Sequence, residues 1–199
     1  MTGWYVFDYG GVLACPQPTE DIRTMAGLTG YAEEVFVERY WRDRDAFDLA
    51  VISDREYWEA VLGRRAEPGE VENLNRLDVQ SWSHPDEATL HVFGQLGGGG
   101  ARLALMSNAP RHLAAAIDRL PWLESVEERF YSCRMGLAKP DLAAYRFVLD
   151  RLGTSPEIAV LVDDREVNVA AATRVGMAAV RFTGAAELAG ALGLNAERR

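Results

Sequence analysis

"WYVFDYGGVL" (residues 4–13) is the stretch on which the fold of this chain turns. A short apolar, aromatic run, Trp4–Phe7, stops at Asp8 and meets Gly10-Gly11 almost at once. Such a run predicts a buried strand leading into a tight turn. The pattern recurs three times. Residues 103–106 end at Ser107-Asn108, residues 158–162 at Asp163-Asp164, and residues 178–182 near Thr183-Gly184. Helical periods lie between the later runs, over residues 110–120, 142–152 and 167–175, with Gly176 as the last stop. Short apolar strands alternating with helices predict an α/β fold: a Rossmann-like parallel sheet with helices on both faces.

Residues 16–88 read differently. They hold no strand-like apolar run, whereas "AEEVFVERYW" (32–41) and "DREYWEAVLGRR" (54–65) have helical spacing. Ser53 and Glu56 form an S-x-x-E capping box just ahead of Tyr57, Trp58, Val61 and Leu62. An all-helical insertion, a cap, is therefore expected at 16–88, dividing a core made of 1–15 and 89–199. Tyr57, Trp58 and Trp41 read as apolar core of that insertion. The Gly97 to Gly100 run reads as a flexible helix-to-strand connection, because no Walker-type lysine follows it.

Composition narrows the function. A net charge of -9 argues against nucleic acid and anionic membrane as partners. No stretch reaches the ~20 apolar residues that a membrane helix needs, and the N-terminus shows no signal-peptide pattern. A cytoplasmic monomer or homodimer is expected. Cys15 and Cys133 read as reduced core thiols, the second inert and in a strand. His84, His91 and His112 show no metal-ligand spacing, and His112 reads as a surface residue.

In a parallel α/β sheet, ligands gather at the carboxyl ends of the strands. Three of the expected strands end in polar residues: Asp8, Ser107-Asn108 and Asp163-Asp164. "GLAKPD" (136–141) brings Lys139 before a further helix. Lysine and arginine together number 21, and Lys139 is the single lysine among them. A compact ammonium differs from the planar guanidinium fork, and crowded carboxylates need such compensation. A divalent cation and one lysine would supply it.

Here the chain resembles the haloacid dehalogenase superfamily, in its phosphatase-like members with a helical cap after the first strand. Four motifs carry the resemblance, in order: "FDYGGVL", "LMSN", "GLAKPD", and "VDDREVN" followed by "AAATRVGM". It implies a phosphatase acting on a small phosphorylated metabolite, a sugar phosphate or another compound with a good leaving group. Asp8 would be the nucleophile that forms an aspartyl-phosphate. Mg²⁺ would be held by Asp8, the Gly10 carbonyl and Asp164, with Asp163 orienting metal-bound water. Ser107 and the backbone amides near Asn108 would bind phosphoryl oxygens, and Lys139 would neutralise charge between Asp8 and the phosphate. Asn168 would orient Lys139 or an outer water. The chain departs from the family at Gly10, where active phosphatases usually carry a second aspartate as general acid and base. Gly10 leaves open a weakly active phosphate-binding protein, and the shared fold leaves open a metal-independent 2-haloacid dehalogenase.

Overall fold

The computed structural model describes residues 3–194. Five strands form one sheet: β1 (Trp4–Phe7), β2 (Arg102–Ser107), β3 (Glu128–Tyr131), β4 (Ala159–Asp163) and β5 (Ala178–Arg181). Their order is β3-β2-β1-β4-β5, and every neighbouring pair is parallel. The predicted α/β parallel sheet is thus observed, with β1 at its centre. The four predicted strands form within a residue or so of their expected limits. β3 is additional. Its sequence, Glu-Arg-Phe-Tyr, is short, and only its last two residues are buried, so it carries no apolar run to read.

Side chains alternate across β1 and β4 and thereby build two cores, one per face. Phe7, Leu105 and Val162 pack with Phe93, Leu96 and Leu113 on one face. Val6, Ala104, Met106 and Leu161 pack with Tyr145, Val148 and Ala171 on the other. The helices that supply these partners are α6 (Glu87–Gly98), α7 (Arg111–Ile117), α9 (Leu142–Leu152) and α10 (Glu166–Arg174), with α8 (Ser132–Met135) and α11 (Ala185–Ala191) completing the series. Cys133 lies in α8 and not in a strand, because β3 ends at Tyr131 and Gly136 closes a single helical turn. Cys15 and Cys133 are both free thiols. Two glycines of the Gly97 to Gly100 run belong to the last turn of α6. Only the other two make the connection, Gly100 with a φ of +83°.

Between β1 and α6 the chain forms five helices: α1 (Thr19–Thr29), α2 (Glu33–Arg42), α3 (Arg44–Asp48), α4 (Asp54–Leu62) and α5 (Glu70–Ser81). They bury an apolar cluster of their own, with Met25, Phe36, Tyr40, Phe47, Tyr57, Trp58 and Leu74 at its centre. The capping box at α4 is present. Ser53 Oγ accepts from the Glu56 amide, and the Glu56 carboxylate accepts from the Ser53 amide. Such a cap stabilises a helix by about 1 kcal/mol. The chain leaves and re-enters the sheet layer at one crossing. There the Cys15 amide donates to His84 O (2.7 Å) and the Asp86 amide to Leu13 O (2.9 Å). Among the described residues, no helix is long and apolar enough to cross a membrane.

Candidate active site

The site begins with register. Phe7 pairs with Leu105 on one side and Val162 on the other. The chain ends of β2, β1 and β4 therefore emerge side by side, carrying Ser107, Asp8 and Asp163. Asp8 is the first residue past β1, and its amide donates to Val162 O (2.9 Å). The next turn is tight: the amides of Leu13 and Ala14 both donate to Tyr9 O (2.9 and 2.8 Å). Gly11 sits in this turn with a φ of +75°, and a Cβ there would lie 2.9 Å from Asp164 Oδ2. Both the conformation and the approach of the carboxylate require glycine.

Asp8 is buried, and Oδ1 takes both of its hydrogen bonds, from the Tyr9 amide (2.7 Å) and from Lys139 Nζ (2.8 Å). Among the described residues none donates to Oδ2, and Asp8 lines the cleft. Lys139 is 4% exposed and holds Asp163 Oδ2 as well, at 2.7 Å. Burial alone would lower its basicity, but Asp8 and Asp163 outweigh burial and raise it. Burial pushes the Asp8 carboxyl up to about 7, against the pull of Lys139.

Each partner of Lys139 is itself held. Asp163 is fully buried and accepts four bonds. Lys139 Nζ and Asn168 Nδ2 donate to Oδ2, while the Arg165 amide and Asn168 Nδ2 donate to Oδ1. Its carboxylate is thus committed to positioning Lys139, and Asn168 acts on the lysine through it. Asn108 clamps the lysine's own peptide, Nδ2 donating to Lys139 O (2.8 Å) and Oδ1 accepting from the Lys139 amide (2.9 Å). Ser107 is buried at the end of β2 and lines the same cleft as Gly10 and Asp164. All seven predicted site residues therefore meet in one place.

The donor set fits a hard divalent cation. Carboxylate oxygens of Asp8, Asp163 and Asp164 lie within 4.8 Å of one another; Asp8 and Asp164 line the cleft, while Asp163 stands behind them on Lys139. Lys139 compensates one of the three charges. Asp164 is half-buried and bonds to no cation among the described residues, and burial followed by Asp163 raises its carboxyl. Asn168 Oδ1, buried and without a partner, leaves an acceptor in the cleft lining for a coordinated water.

Sequence reasoning missed the far wall. Trp41, Arg44, Asp45, Asp48 and Trp82 come from the helical segment and line the cleft facing Asp8. Trp41 is not core, since half of its surface is exposed. Arg44 is buried and bonds Asp48 Oδ1 (2.7 Å), Asp78 Oδ1 (3.2 Å) and Tyr40 Oη. His112 is not a surface residue. Its Nε2 lies 2.8 Å from Asp78 Oδ2, so α7 is tied to α5 through a buried carboxylate. Burial alone would raise the Asp78 carboxyl, but Arg44, His112 and Tyr40 outweigh it and hold it low. No motif marks these residues. The one signal was the nearness of His112 to Asn108 in the sequence.

The profile of the haloacid dehalogenase-like hydrolases matches residues 4–176. The chain belongs to that family, and it is a hydrolase by that membership. It is 26% identical over 179 residues to a sesquiterpene phosphatase of Aspergillus oryzae, which spans 89% of this chain and 88% of that protein. Among the solved structures that share the fold are the following two. One is a haloacid dehalogenase family enzyme of Bacteroides thetaiotaomicron, an alanine mutant in complex with magnesium and inorganic phosphate. It has a TM-score of 0.74 at 16% identity and covers 91% of this chain and 94% of its own. The other is the L-2-haloacid dehalogenase of Xanthobacter autotrophicus with chloropropionic acid covalently bound. Its TM-score is 0.69 at 17% identity, covering 97% of this chain and 83% of its own.

Proposed function

We propose that the protein is a Mg²⁺-dependent phosphatase that hydrolyses a small phosphorylated metabolite through an aspartyl-phosphate on Asp8. The observation that carries this reading is the division of labour on one carboxylate: Lys139 and the Tyr9 amide hold Oδ1, while Oδ2 is left to the cleft. Asp8 Oδ2 attacks phosphorus, the bond from phosphorus to the leaving oxygen breaks, and that oxygen keeps the electron pair. Water then attacks the same phosphorus and releases inorganic phosphate and the Asp8 carboxylate. Ser107 and the amides near Asn108 orient the phosphoryl oxygens. Lys139, fixed from below by Asp163 and along its peptide by Asn108, keeps positive charge where the transferring group gathers negative charge. Asp8, Asp164 and the Gly10 carbonyl would hold the metal, with Asp163 behind them. When bound, Mg²⁺ neutralises phosphoryl charge and offsets the repulsion among the three carboxylates.

Residues 16–88 form a cap on this reading, covering the core of 1–15 and 89–199 and contributing the far wall of the cleft. The Aspergillus phosphatase supports phosphate ester hydrolysis, and the Bacteroides enzyme supports magnesium at such a site. The likeness to a dehalogenase gives a second reading in which Asp8 displaces halide without metal. The free Asp164 carboxylate beside Asp8 favours the phosphatase, because it adds an uncompensated charge that a dehalogenase has no use for. The test is release of phosphate from p-nitrophenyl phosphate and acetyl phosphate with and without Mg²⁺, beside halide release from 2-chloropropionate. Metal-dependent phosphate release is expected. Halide release without metal would replace this reading with the second one.

A further inference from the structure

Gly10 is glycine for a reason found far away in the chain. Its φ does not lie in the left-handed region, so its backbone would accept an L-residue. A Cβ there, however, would come 2.8 Å from Trp82 Cζ3 and 3.2 Å from Cε3. Trp82 is held at its main chain and at its ring. Tyr9 Oη donates to Trp82 O (2.6 Å), and Trp82 Nε1 donates to Tyr40 Oη (3.1 Å), which belongs to the buried Arg44–Asp78 network. Trp41 abuts it edge-on, with centroids 6.4 Å apart. Retreat of the ring would break its bond to Tyr40 and its contact with Trp41 together.

In-line displacement sends the leaving group away from the attacking oxygen. The leaving group therefore departs from Asp8 toward the residues of the helical segment. Trp82 has spent its only donor on Tyr40, and Trp41 offers no acidic proton. Asp48 is buried and held through Oδ1 by Arg44 Nε, and Asp45 is exposed at the rim.

We propose that Trp82 is a specificity-determining residue for the phosphatase reaction above, on which this inference rests. By filling the space beside Gly10, it leaves no room for an acidic side chain at that position, and with Trp41 it turns aromatic carbon toward the leaving group on the Gly10 side of the cleft. Efficient turnover is then confined to phosphate compounds whose leaving group departs as a weak base and presents a flat apolar face, aryl and enol phosphates foremost. The leaving oxygen takes the electron pair of the broken bond and collects its proton from solvent water afterwards.

The experiment compares kcat/KM over aryl and alkyl phosphates of graded leaving-group acidity, in Mg²⁺, for the wild type, Gly10→Asp, Trp82→Ala and the double variant. The wild type should lose at least ~10²-fold from the most acidic phenol to a simple alcohol, the lower range of what general acid help is worth. Gly10→Asp alone should be poorly active, and adding Trp82→Ala should restore activity and flatten the series. A flat wild-type series overturns the proposal while leaving the phosphatase reading intact. An Asp45→Asn or Asp48→Asn variant that loses alkyl but not aryl turnover overturns it too. A wild type silent on every compound overturns the phosphatase reading instead, and thermal melts then still test the packing. Gly10→Ala should lower Tm in the wild type and lower it less in Trp82→Ala. Equal shifts in the two backgrounds would mean that the indole does not exclude a side chain.

Discussion

Replacing Lys139 with arginine keeps the charge and changes only its shape, which isolates what the single lysine of the chain does. Nζ lies 2.8 Å from Asp8 Oδ1 and 2.7 Å from Asp163 Oδ2, with 4% of the residue exposed. At an effective dielectric of 20, each contact has a gross attraction of about 6 kcal/mol, offset in large part by desolvation of the ions. Arginine retains much of that attraction, so the fold should survive. The guanidinium, however, spreads its charge over a plane and cannot place one nitrogen between both carboxylates in the space that an ammonium fills. Asp8 would be displaced or its Oδ2 obstructed. Loss of one preorganised donor costs about 10²–10³ in kcat, roughly 2.7–4 kcal/mol. We expect Lys139→Arg to lose at least ~10²-fold in kcat at saturating Mg²⁺, with a folded circular dichroism spectrum. The control is Arg64→Lys. Arg64 makes a two-pronged pair with Glu70 on the surface, at 2.8 and 2.7 Å, so this change should leave turnover alone. If Lys139→Arg keeps half or more of the wild-type rate, the shape of the charge is irrelevant and the reasoning fails.

Asp8→Asn should abolish turnover while preserving cooperative unfolding, since an amide neither attacks phosphorus nor balances Lys139; near wild-type activity would remove Asp8 from the mechanism. Mg²⁺ should raise Tm as well as rate, because it binds only where Asp8, Asp163 and Asp164 converge. Equal melting of EDTA-treated and Mg²⁺-loaded protein would contradict the carboxylate-cluster reading. Asp78→Ala should destabilise by about 3–5 kcal/mol in urea unfolding, because it leaves the buried Arg44 without one of its two carboxylates and His112 without a partner. A loss below about 1 kcal/mol would mean that this network is not buried and paired as described.

Local pattern determined much of this protein. The apolar runs ending in Asp8, Ser107 and Asp163 marked three of the five strands and their functional ends, and the capping box marked the start of α4. Strand periodicity and cap chemistry act over a few residues, so they are written where they act. Six of the seven predicted site residues meet because, in a parallel sheet, the carboxyl ends of adjacent strands lie together whatever separates them in the chain; Lys139 joins them from the loop after α8. β3 escaped because an edge strand with two buried residues has no run to show. Trp41 and His112 were misread because an aromatic or a histidine at helical spacing does not declare which way it faces. Only tertiary packing decided that Asn108 clamps the lysine's peptide, that Asp163 is spent on Lys139, and that Asp78 ties α5 to α7. Gly10 and Trp82 are the sharpest case. They stand 72 residues apart, the first read as a missing acid and the second not read at all. The absence of a side chain at one became intelligible only when the indole of the other was found in its place. Van der Waals exclusion depends on distance in space, and nothing in the local sequence at either end encodes that distance.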